Sequence, residues 1–484
     1  MKPLIKTAPT VLVASLLAAT LLSACSLAPT YQRPAAPVAA AYPQDASGVA
    51  ARTSVALPAS ASAGAAVDTG WRSFFADARL QQLIEAALEH NRDLRTAVLR
   101  MEEARALYDV QSADRLPNLN ASASVARAKT PAFLSSTGHS SIGKRYDAGL
   151  AISAFELDFF GRVKSLSDAA LASYLATEEA RQAAQISLVA QVAQAYYIER
   201  AYAEQLALAQ QTYAARSRTY QLTQQRAEVG ASSRLDLRSA ETLMETARAA
   251  ALSLARQRAQ AENALTLLVG QNQPSTSGAL PDQRQLDTMS ALPAGLPSEL
   301  LARRPDIRAA EQRLKAATAN IGAARAAFFP RISLTTSLGS SSPSLGGLFD
   351  SGSGSWSFAP QLSLPIFDAG RNRANLSLAE TRKNIAVADY EKTIQTAFRE
   401  VADALAARDY LGEQVQAQNS IVDAQADRLK LLQLRFEQGI ASSLDVLDAQ
   451  RELFSAQQTL VQVRQQRSGS AVDLYRALGG GLQP

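Results

Sequence analysis

Polar and apolar residues alternate with period two in two short segments, Asn118–Val125 and Arg331–Leu338. Each segment has a candidate partner downstream, at about Tyr146–Asp158 and Trp356–Phe367, and the large apolar residues of the second partner share one parity. Such alternation places small polar side chains on one face of a strand and apolar side chains on the other. Lengths near ten residues with this pattern are typical of strands in outer-membrane β-barrels.

The segments between these paired strands, residues 129–145 and 339–355, are rich in Ser and Gly and are expected to be outward-facing loops. Four strands cannot close a barrel, because small single-chain barrels use about eight and an open edge in lipid leaves backbone groups unpaired. The sequence therefore predicts an oligomer. Two copies would give about eight strands with a filled lumen, and three would give about 12 with room for water.

Two long stretches have the composition of uninterrupted helices. From Arg162 to Val229 the chain contains neither Gly nor Pro, and from Arg371 to Gln438 it is interrupted by Gly412 alone. At 1.5 Å per residue, each stretch predicts a helix of about 100 Å. A helical conduit of this kind favours the wider barrel.

Each long stretch ends at a glycine, Gly230 or Gly439, and helical composition resumes over residues 231–269 and 440–478. A glycine between helical runs is typical of a helix C-terminus and a tight turn between helices. The sequence therefore predicts two very long helical hairpins.

A third helical run precedes each pair of strands, at Asp77–Arg115 and Ser298–Phe328. Two shorter helices stacked end to end could match the length of one long helix in coiled-coil packing. The helices by themselves would suit an extended envelope spacer equally well, and the strands argue against that interpretation.

The chain contains an internal duplication. Glu228–Leu237 and Glu437–Val446 are similar at an offset of 209 residues, and Gly161-Arg162 corresponds to Gly370-Arg371 at the same offset. We expect a tandem repeat of about 200 residues, much longer than a solenoid unit. The sequence predicts six segments. They are a signal peptide (1–24), an extended tether (25–75), a first repeat (76–270), a linker (271–297), a second repeat (298–480) and a tail (481–484).

The N-terminus has the pattern of a secretory signal. Lys2 and Lys6 precede a short apolar stretch that ends at Leu22, and the stretch is too short for a spanning helix. Cys25, the single Cys of the chain, stands where cleavage would make it the first mature residue. This start resembles the lipobox of bacterial lipoproteins, which predicts lipidation of Cys25, and Ser26 at the next position favours the outer membrane.

Composition excludes several classes of protein. One Cys cannot form an internal disulfide, and two His residues leave almost no ligands for a zinc or copper site, so no metal or other cofactor is predicted. The net charge of +5 gives no argument for nucleic-acid binding, since part of it lies in the predicted signal peptide.

Two features could indicate an enzyme, and neither is convincing. Gly138–Arg145 approaches a phosphate-binding loop, but Arg145 replaces the required Ser or Thr and no helix is predicted to follow. Glu156 and Asp158 share a strand face and could form an acid–base pair, yet a polar lumen explains them equally well. We therefore predict no catalytic activity.

The chain resembles the TolC-like outer membrane factors, and among them the lipidated NodT/OprM-like branch. The resemblance rests on the order of four motifs, the duplication and the lipobox together; the motifs are Cys25–Tyr31, Phe155–Arg162, Pro365–Arg371 and Gly439–Ala449. It implies an α+β fold, in which a homotrimer closes a 12-stranded β-barrel in the outer membrane and a 12-helix α-barrel in the periplasm. It also implies a mixed equatorial belt near residues 270–297 and the C-terminus.

The resemblance further implies partners and a function. The partners are a periplasmic adaptor protein, an inner-membrane RND-type pump and outer-membrane lipid. The implied function is that of the exit duct of a tripartite efflux pump, which conducts drugs or other small toxic compounds passively. A duct for type I protein secretion would share the fold, and a structural envelope lipoprotein would need no barrel strands.

In the family, acidic residues just beyond the hairpin turn ring the periplasmic aperture. The matching residues are Asp445 and Asp448, on one helical face, and Asp236 in the first repeat. Solvated surface acids are the alternative interpretation. In some members of the family, a Tyr and an Arg hold the tip closed. Phe436 and Ala441 stand at the matching positions here, so this closing contact cannot form in the same way.

The adaptor is expected to grip the tips of the two hairpins. The candidate contact residues are Gly230, Ala231, Ser232 and Ser233 in the first hairpin and Gly439, Ile440, Ala441 and Ser442 in the second.

Overall fold

A computed structural model describes residues 27–39, 42, 70–136, 138–272 and 301–482. Cys25 and most of the predicted linker, residues 273–297, lie outside the described residues, as do the predicted signal peptide and most of the tether. No helix in the described part of the chain is long and apolar enough to cross a membrane.

The elements alternate between helices and strands in the order that the duplication predicts. The helices are α1 (Trp71–Phe74), α2 (Ala78–His90), α3 (Arg92–Ala113), α4 (Arg162–Glu228), α5 (Arg234–Val269), α6 (Pro305–Ala326), α7 (Arg371–Glu437) and α8 (Ser443–Ala477). The strands are β1 (Leu119–Thr130), β2 (Ser141–Leu157), β3 (Arg331–Ser342) and β4 (Gly354–Ser363), and a 3₁₀ turn lies at Ala132–Leu134. The prediction of two long helical hairpins, α4–α5 and α7–α8, is confirmed.

One predicted helix is two helices. The run from Asp77 to Arg115 breaks at Asn91, whose backbone is extended and whose side-chain oxygen accepts a hydrogen bond from Leu94 N at 2.8 Å. The Asn91 side-chain nitrogen also donates to Leu268 O on α5, at 2.8 Å. An Asn that caps one helix and bonds the end of another stabilises a bend that helical composition does not reveal.

The four strands form one antiparallel sheet in the order β1-β2-β3-β4. They extend further into the connecting segments than predicted, so the loops shrink to residues 131–140 and 343–353. In contrast, β4 ends at Ser363 rather than Phe367, since Pro365 has no N–H to continue a strand ladder.

A close approach of two backbones fixes the centre of the sheet. Gly149 on β2 pairs with Gly339 on β3. A Cβ atom on Gly149 would lie 2.6 Å from Leu338 O and 2.7 Å from the Gly339 Cα, which is too close for any side chain. Both residues are therefore Gly for steric reasons.

The contacts divide the chain into two units, and each unit contains parts of both predicted repeats. The first comprises residues 1–35, 100–178 and 309–390 and includes the sheet. The second comprises residues 36–99, 179–308 and 391–484 and includes both hairpin tips.

In the first unit, the described N-terminal segment is held on α6. Arg33 Nη2 donates to the two carboxylate oxygens of Glu311 at 2.8 and 3.0 Å, and Tyr31 OH donates to the same carboxylate at 3.0 Å. The Glu311 side chain is only 7% exposed. A bidentate, charge-assisted pair of this kind fixes both position and orientation of the segment.

In the second unit, an aromatic cluster joins the short helix α1 to the end of α8. The rings of Phe74 and Tyr475 stack with centroids 4.1 Å apart, and Phe75 packs edge-on against Tyr475 at 5.9 Å. All three side chains are buried. Nearby, Tyr196 OH on α4 donates to Asp77 at 2.6 Å, and Asp77 also caps α2, so a single carboxylate connects two helices.

Candidate functional site at the hairpin tips

Each hairpin tip turns on a glycine with left-handed backbone geometry. Gly230 has φ +76° and Gly439 has φ +73°, values that favour glycine. Ala231 N donates to Arg226 O at 2.7 Å and Ile440 N to Arg435 O at 2.8 Å, which closes each outgoing helix. This is the helix termination that the two glycines predict.

The returning helices α5 and α8 each begin with a capping box. Asp236 N donates to Ser233 Oγ at 3.0 Å, and Ser233 N donates back to the Asp236 carboxylate at 3.3 Å. In the second hairpin the same bonds join Ser442 and Asp445, at 3.2 and 3.0 Å. The pattern Ser-x-x-Asp after each tip glycine is the sequence signal for this structure, and the sequence analysis did not use it.

Two of the three candidate aperture carboxylates are therefore also structural. Hydrogen bonds from Ser233 and Ser443 lower the pKa of Asp236, and hydrogen bonds from Ser442 lower that of Asp445. Because an Asp carboxyl ordinarily titrates near about 4, both side chains are ionised at neutral pH.

Asp448 is held differently. Its carboxylate lies 2.6 Å from Arg451 on the same helix and 3.8 Å from Arg428 on α7. Asp445 and Asp448 are three residues apart on α8. Asp448 has Arg451 and Arg428 as neighbours, and Asp445 bonds its own N-cap and also lies in the field of Arg435 and Arg428.

Ser443 Oγ donates a hydrogen bond to Asp236 Oδ1 at 2.9 Å, which joins the two tips. At the same level, a cavity of about 710 Å³ lies between the hairpins, and both residues of that bond are part of its lining. Its walls include Asp236 and Phe436 and the candidate contact residues Gly230, Ala231, Ser232 and Ser233. Asp445, Asp448 and the second set of contact residues, 439–442, are not part of its lining.

Both tips expose large apolar side chains. Val229 and Leu235 flank the first turn and are 79% and 76% exposed, and Ile440 and Leu444 flank the second at 66% and 67%. Of these four residues, only Ile440 is among the contact residues predicted from the sequence. Apolar residues clustered at an exposed turn are typical of a docking surface.

The candidate acid–base pair has structural partners. Glu156 bonds Arg162 and Arg331 at 2.7 Å each, and Asp158 accepts a hydrogen bond from Lys164 N at 2.7 Å at the start of α4. The segment 138–145 leads into β2, not into a helix. Within the described residues, no cluster of His, Cys, Asp and Glu could hold a metal ion.

Comparison with known proteins identifies the family. The model of the outer membrane efflux protein family matches residues 83–271 and 296–480. The chain is 51% identical over 470 residues to the outer membrane protein OprJ of Pseudomonas aeruginosa, a match that covers 97% of this chain and 95% of OprJ. It is 49% identical to the antibiotic efflux pump outer membrane protein ArpC of Pseudomonas putida, over 95% of this chain and 93% of ArpC.

A solved structure agrees with these relatives. The open state of the MtrE outer membrane channel of Neisseria gonorrhoeae superposes with a TM-score of 0.83 at 43% identity, over 95% of this chain and 99% of MtrE. The chain belongs to the outer membrane efflux protein family, in its OprM/NodT-like branch. It is an outer-membrane channel component of an efflux pump.

Proposed function

We propose that three copies of this chain form the exit duct of a tripartite pump, and that Cys25 carries a lipid that anchors each copy in the outer membrane. The duct conducts small toxic compounds passively and performs no catalytic step. The observation that carries the proposal is the combination of a four-stranded sheet with two long helical hairpins in one chain.

The sheet supports an assembly of several copies. Within the described residues, β1 and β4 each pair on one side only. Large apolar side chains on β4, among them Trp356 and Phe358, are mostly exposed in a single copy. Pairing of β4 with β1 of the next copy would satisfy both edges and leave these side chains to lipid.

The tips support docking of an adaptor protein. The exposed apolar residues Val229, Leu235, Ile440 and Leu444 surround the turn residues 230–233 and 439–442, and a periplasmic adaptor would cover them. The adaptor would connect the duct to an inner-membrane RND-type pump, which supplies the energy. Contact with the tips would then open the duct.

The acidic residues support a cation-selective aperture. In a trimer, Asp236, Asp445 and Asp448 of the three copies would face a common axis, where a ring of carboxylates disfavours anions and holds cations. Asp236 and Asp445 are ionised and lie at the tips, and Asp448 follows Asp445 on α8 beside Arg451 and Arg428.

Complementation tests the proposed function. In a strain that lacks the gene but retains its adaptor and pump, the wild-type chain should restore low accumulation of antibiotics and a fluorescent dye. The matched control carries Cys25→Ser, which should lower the amount of protein in the outer membrane. Unchanged accumulation after deletion would refute the efflux function, and loss of an exported protein instead would indicate a secretion duct.

Conductance tests the aperture. Asp445→Asn with Asp448→Asn removes charge and keeps a side-chain oxygen at the capping position, so block of single-channel current by divalent cations should weaken roughly tenfold. The matched control is Ser442→Ala, which disrupts the cap and keeps both carboxylates. The assignment of these carboxylates to the aperture ring would be wrong if Ser442→Ala weakened the block by divalent cations and the double Asn variant did not.

A further inference from the structure

The long helix α4 presents a regular seam to the other helices of the second unit. The seam positions follow the alternating spacing of four and three residues that is typical of a coiled coil. They are Gln205, Ala209, Thr212, Arg216, Thr219, Thr223 and Arg226. Gln205 O accepts a hydrogen bond from Gln458 on α8 at 3.3 Å, so this face of α4 contacts the second hairpin.

The character of the seam changes at Arg216. Farther from the tip, the seam residues Gln205 and Ala209 are buried, and so are Tyr197 and Ala201, which precede the seam on α4. From Arg216 to the tip, the seam contains only Thr and Arg, and Arg216 is the last buried residue of α4. Ala240 on α5 and Leu447 and Ala449 on α8 remain buried on the tip side, so the apolar packing is lost on α4 alone. A segment with fewer buried apolar contacts opens at a lower free-energy cost.

Arg216 itself is a buried cation between three helices. It is 4% exposed, its Nη1 donates to Leu243 O on α5 at 3.1 Å, and its guanidinium lies 5.7 Å from the ring centroid of Phe454 on α8. Its Nε and Nη2 are buried and have no acceptor within the described residues, and no described carboxylate forms an ion pair with it. Burial, with the nearby charge of Arg451, lowers the pKa of the Arg216 guanidinium.

A buried guanidinium of this kind destabilises the packed arrangement of helices around it. An apolar side chain of similar volume would pack at the same place without the cost of desolvation. If α8 moved away from α4, water would reach Nε and Nη2, so Arg216 favours the separated arrangement over the packed one. The contact with Phe454 is a cation–π contact, which lacks the strict geometry of a hydrogen bond and tolerates a change of angle.

The surroundings of Arg216 fit such a movement. On its tip side, both hairpins line the cavity of about 710 Å³, and among the described side chains one hydrogen bond, between Ser443 and Asp236 in the wall of that cavity, joins the tips. On its other side, Gln458 on α8 donates a hydrogen bond to Gln205 O on α4, and Tyr197 and Ala201 on α4 are buried.

We propose that Arg216 is a positioning residue for channel opening. It is the pivot at which the second hairpin separates from the first, so that the segments of the two hairpins between Arg216 and the tips move apart. The proposal rests on the proposed function, because it assigns where the movement that opens the duct begins. Arg216 acts through α8 and touches no transported compound.

Substitution of Arg216 tests the direction of the effect. Arg216→Met replaces the buried cation by an apolar side chain and should lower the open probability of the purified channel in lipid bilayers about tenfold, with unchanged or higher thermal stability. Arg216→Lys keeps the charge and should conduct like the wild type. The matched control is Arg218→Met, the same change at an exposed position of the same helix.

Two outcomes would overturn the proposal. Normal opening of Arg216→Met would show that the residue does not influence opening, and loss of thermal stability would show that Arg216 is only a structural contact. Failure of the wild-type chain to conduct or to restore efflux would refute the proposed function instead, so the two failures are distinguishable.

Cross-linking locates the pivot. Cys25 is the only native Cys, so engineered pairs can be joined by a short thiol-reactive cross-linker. The pair Gln205→Cys with Gln458→Cys lies on the side of Arg216 that faces away from the tips. Cross-linking of this pair should leave the conductance unchanged. Asp236→Cys with Ser443→Cys lies at the tips, and its cross-linking should abolish opening relative to the same protein without the cross-linker. Equal effects of the two cross-links would contradict the proposal.

Discussion

At the scale of single residues, one side chain often has two tasks in this protein. Asp236 completes the cap of α5, accepts the bond from Ser443 that joins the tips, and supplies a carboxylate to the proposed aperture. Replacing it by Ala would remove all three, so a simple alanine variant could not separate them. Asp445 combines two of these tasks, and the Asn substitution proposed above keeps the cap while it removes the charge.

The pair between Arg33 and Glu311 gives a pH-dependent prediction. Burial by itself raises the pKa of Glu311, but the bonds from Arg33 and Tyr31 outweigh it and the pKa is lowered overall. A carboxyl group with a lowered pKa stabilises the folded state above its ordinary pKa of about 4.3, and this stabilisation is lost as the pH falls through the folded-state value.

We therefore expect Glu311→Gln to lower the free energy of unfolding at pH 7 by about 1–3 kcal/mol, at the low end because Arg33 is half exposed. The difference from the wild type should shrink in acid, as measured by thermal melting at pH 7 and below pH 4. Glu380→Gln is the control, since Glu380 lies on the surface at 4.0 Å from Arg325. Equal melting of Glu311→Gln and wild type at pH 7 would contradict the prediction.

At the scale of secondary structure, local pattern and tertiary contact contribute differently. The bounds of α4 and α7 follow from the absence of Gly and Pro and from the glycines that end them. The break at Asn91 depends on Leu268, which lies 177 residues away in the sequence. A helical pattern cannot distinguish a continuous helix from two helices when the residue at the break is a good cap and the partner is distant.

The Gly149–Gly339 pair gives a prediction for the sheet. Gly149→Ala places a methyl group 2.6 Å from Leu338 O, so β2 and β3 must move apart. We expect a loss of more than about 2 kcal/mol in stability and a strong decrease in correctly assembled protein, measured by thermal melting and by recovery of the heat-labile oligomer. Gly143→Ala on the same strand is the control, because its nearest neighbouring atom, Ala128 O, is 4.0 Å away. Normal assembly of Gly149→Ala would show that the strands adjust without cost.

At the scale of the whole molecule, the duplication does not produce two separate domains. Each of the two units combines residues from both repeats, because α4 and α7 contribute to both. Among the described residues, β1 and β4 have no partner on their outer edges, and lipid could not satisfy the backbone groups that these edges expose. Neither the repeat nor the unit is the functional entity in the proposed mechanism, which requires several copies.

The number of copies is a direct prediction. Detergent-extracted protein should run as a heat-labile band at about three times the mass of one chain, because three copies of the observed sheet give the wider barrel. Chemical cross-linking of intact membranes should give a ladder that ends at the third band. A ladder that ends at the second band would indicate the filled eight-stranded alternative.

The sequence by itself determined the elements that depend on local pattern: the long helices, the four strands, the turns at Gly230 and Gly439, and the acids that follow each turn. It also contained the Ser-x-x-Asp signals of both capping boxes. These features are predictable because a helix, a cap or an alternating strand is specified by residues within a few positions of one another.

Only the tertiary structure decided which distant residues meet. It placed Ser443 against Asp236, Gly149 against Gly339 and Arg216 between Leu243 and Phe454. In the sequence, Arg216 is one of many arginines on a helix, and such residues are mostly exposed. Its burial depends on how three helices pack, and no local pattern records that, since packing is a property of the faces that come together.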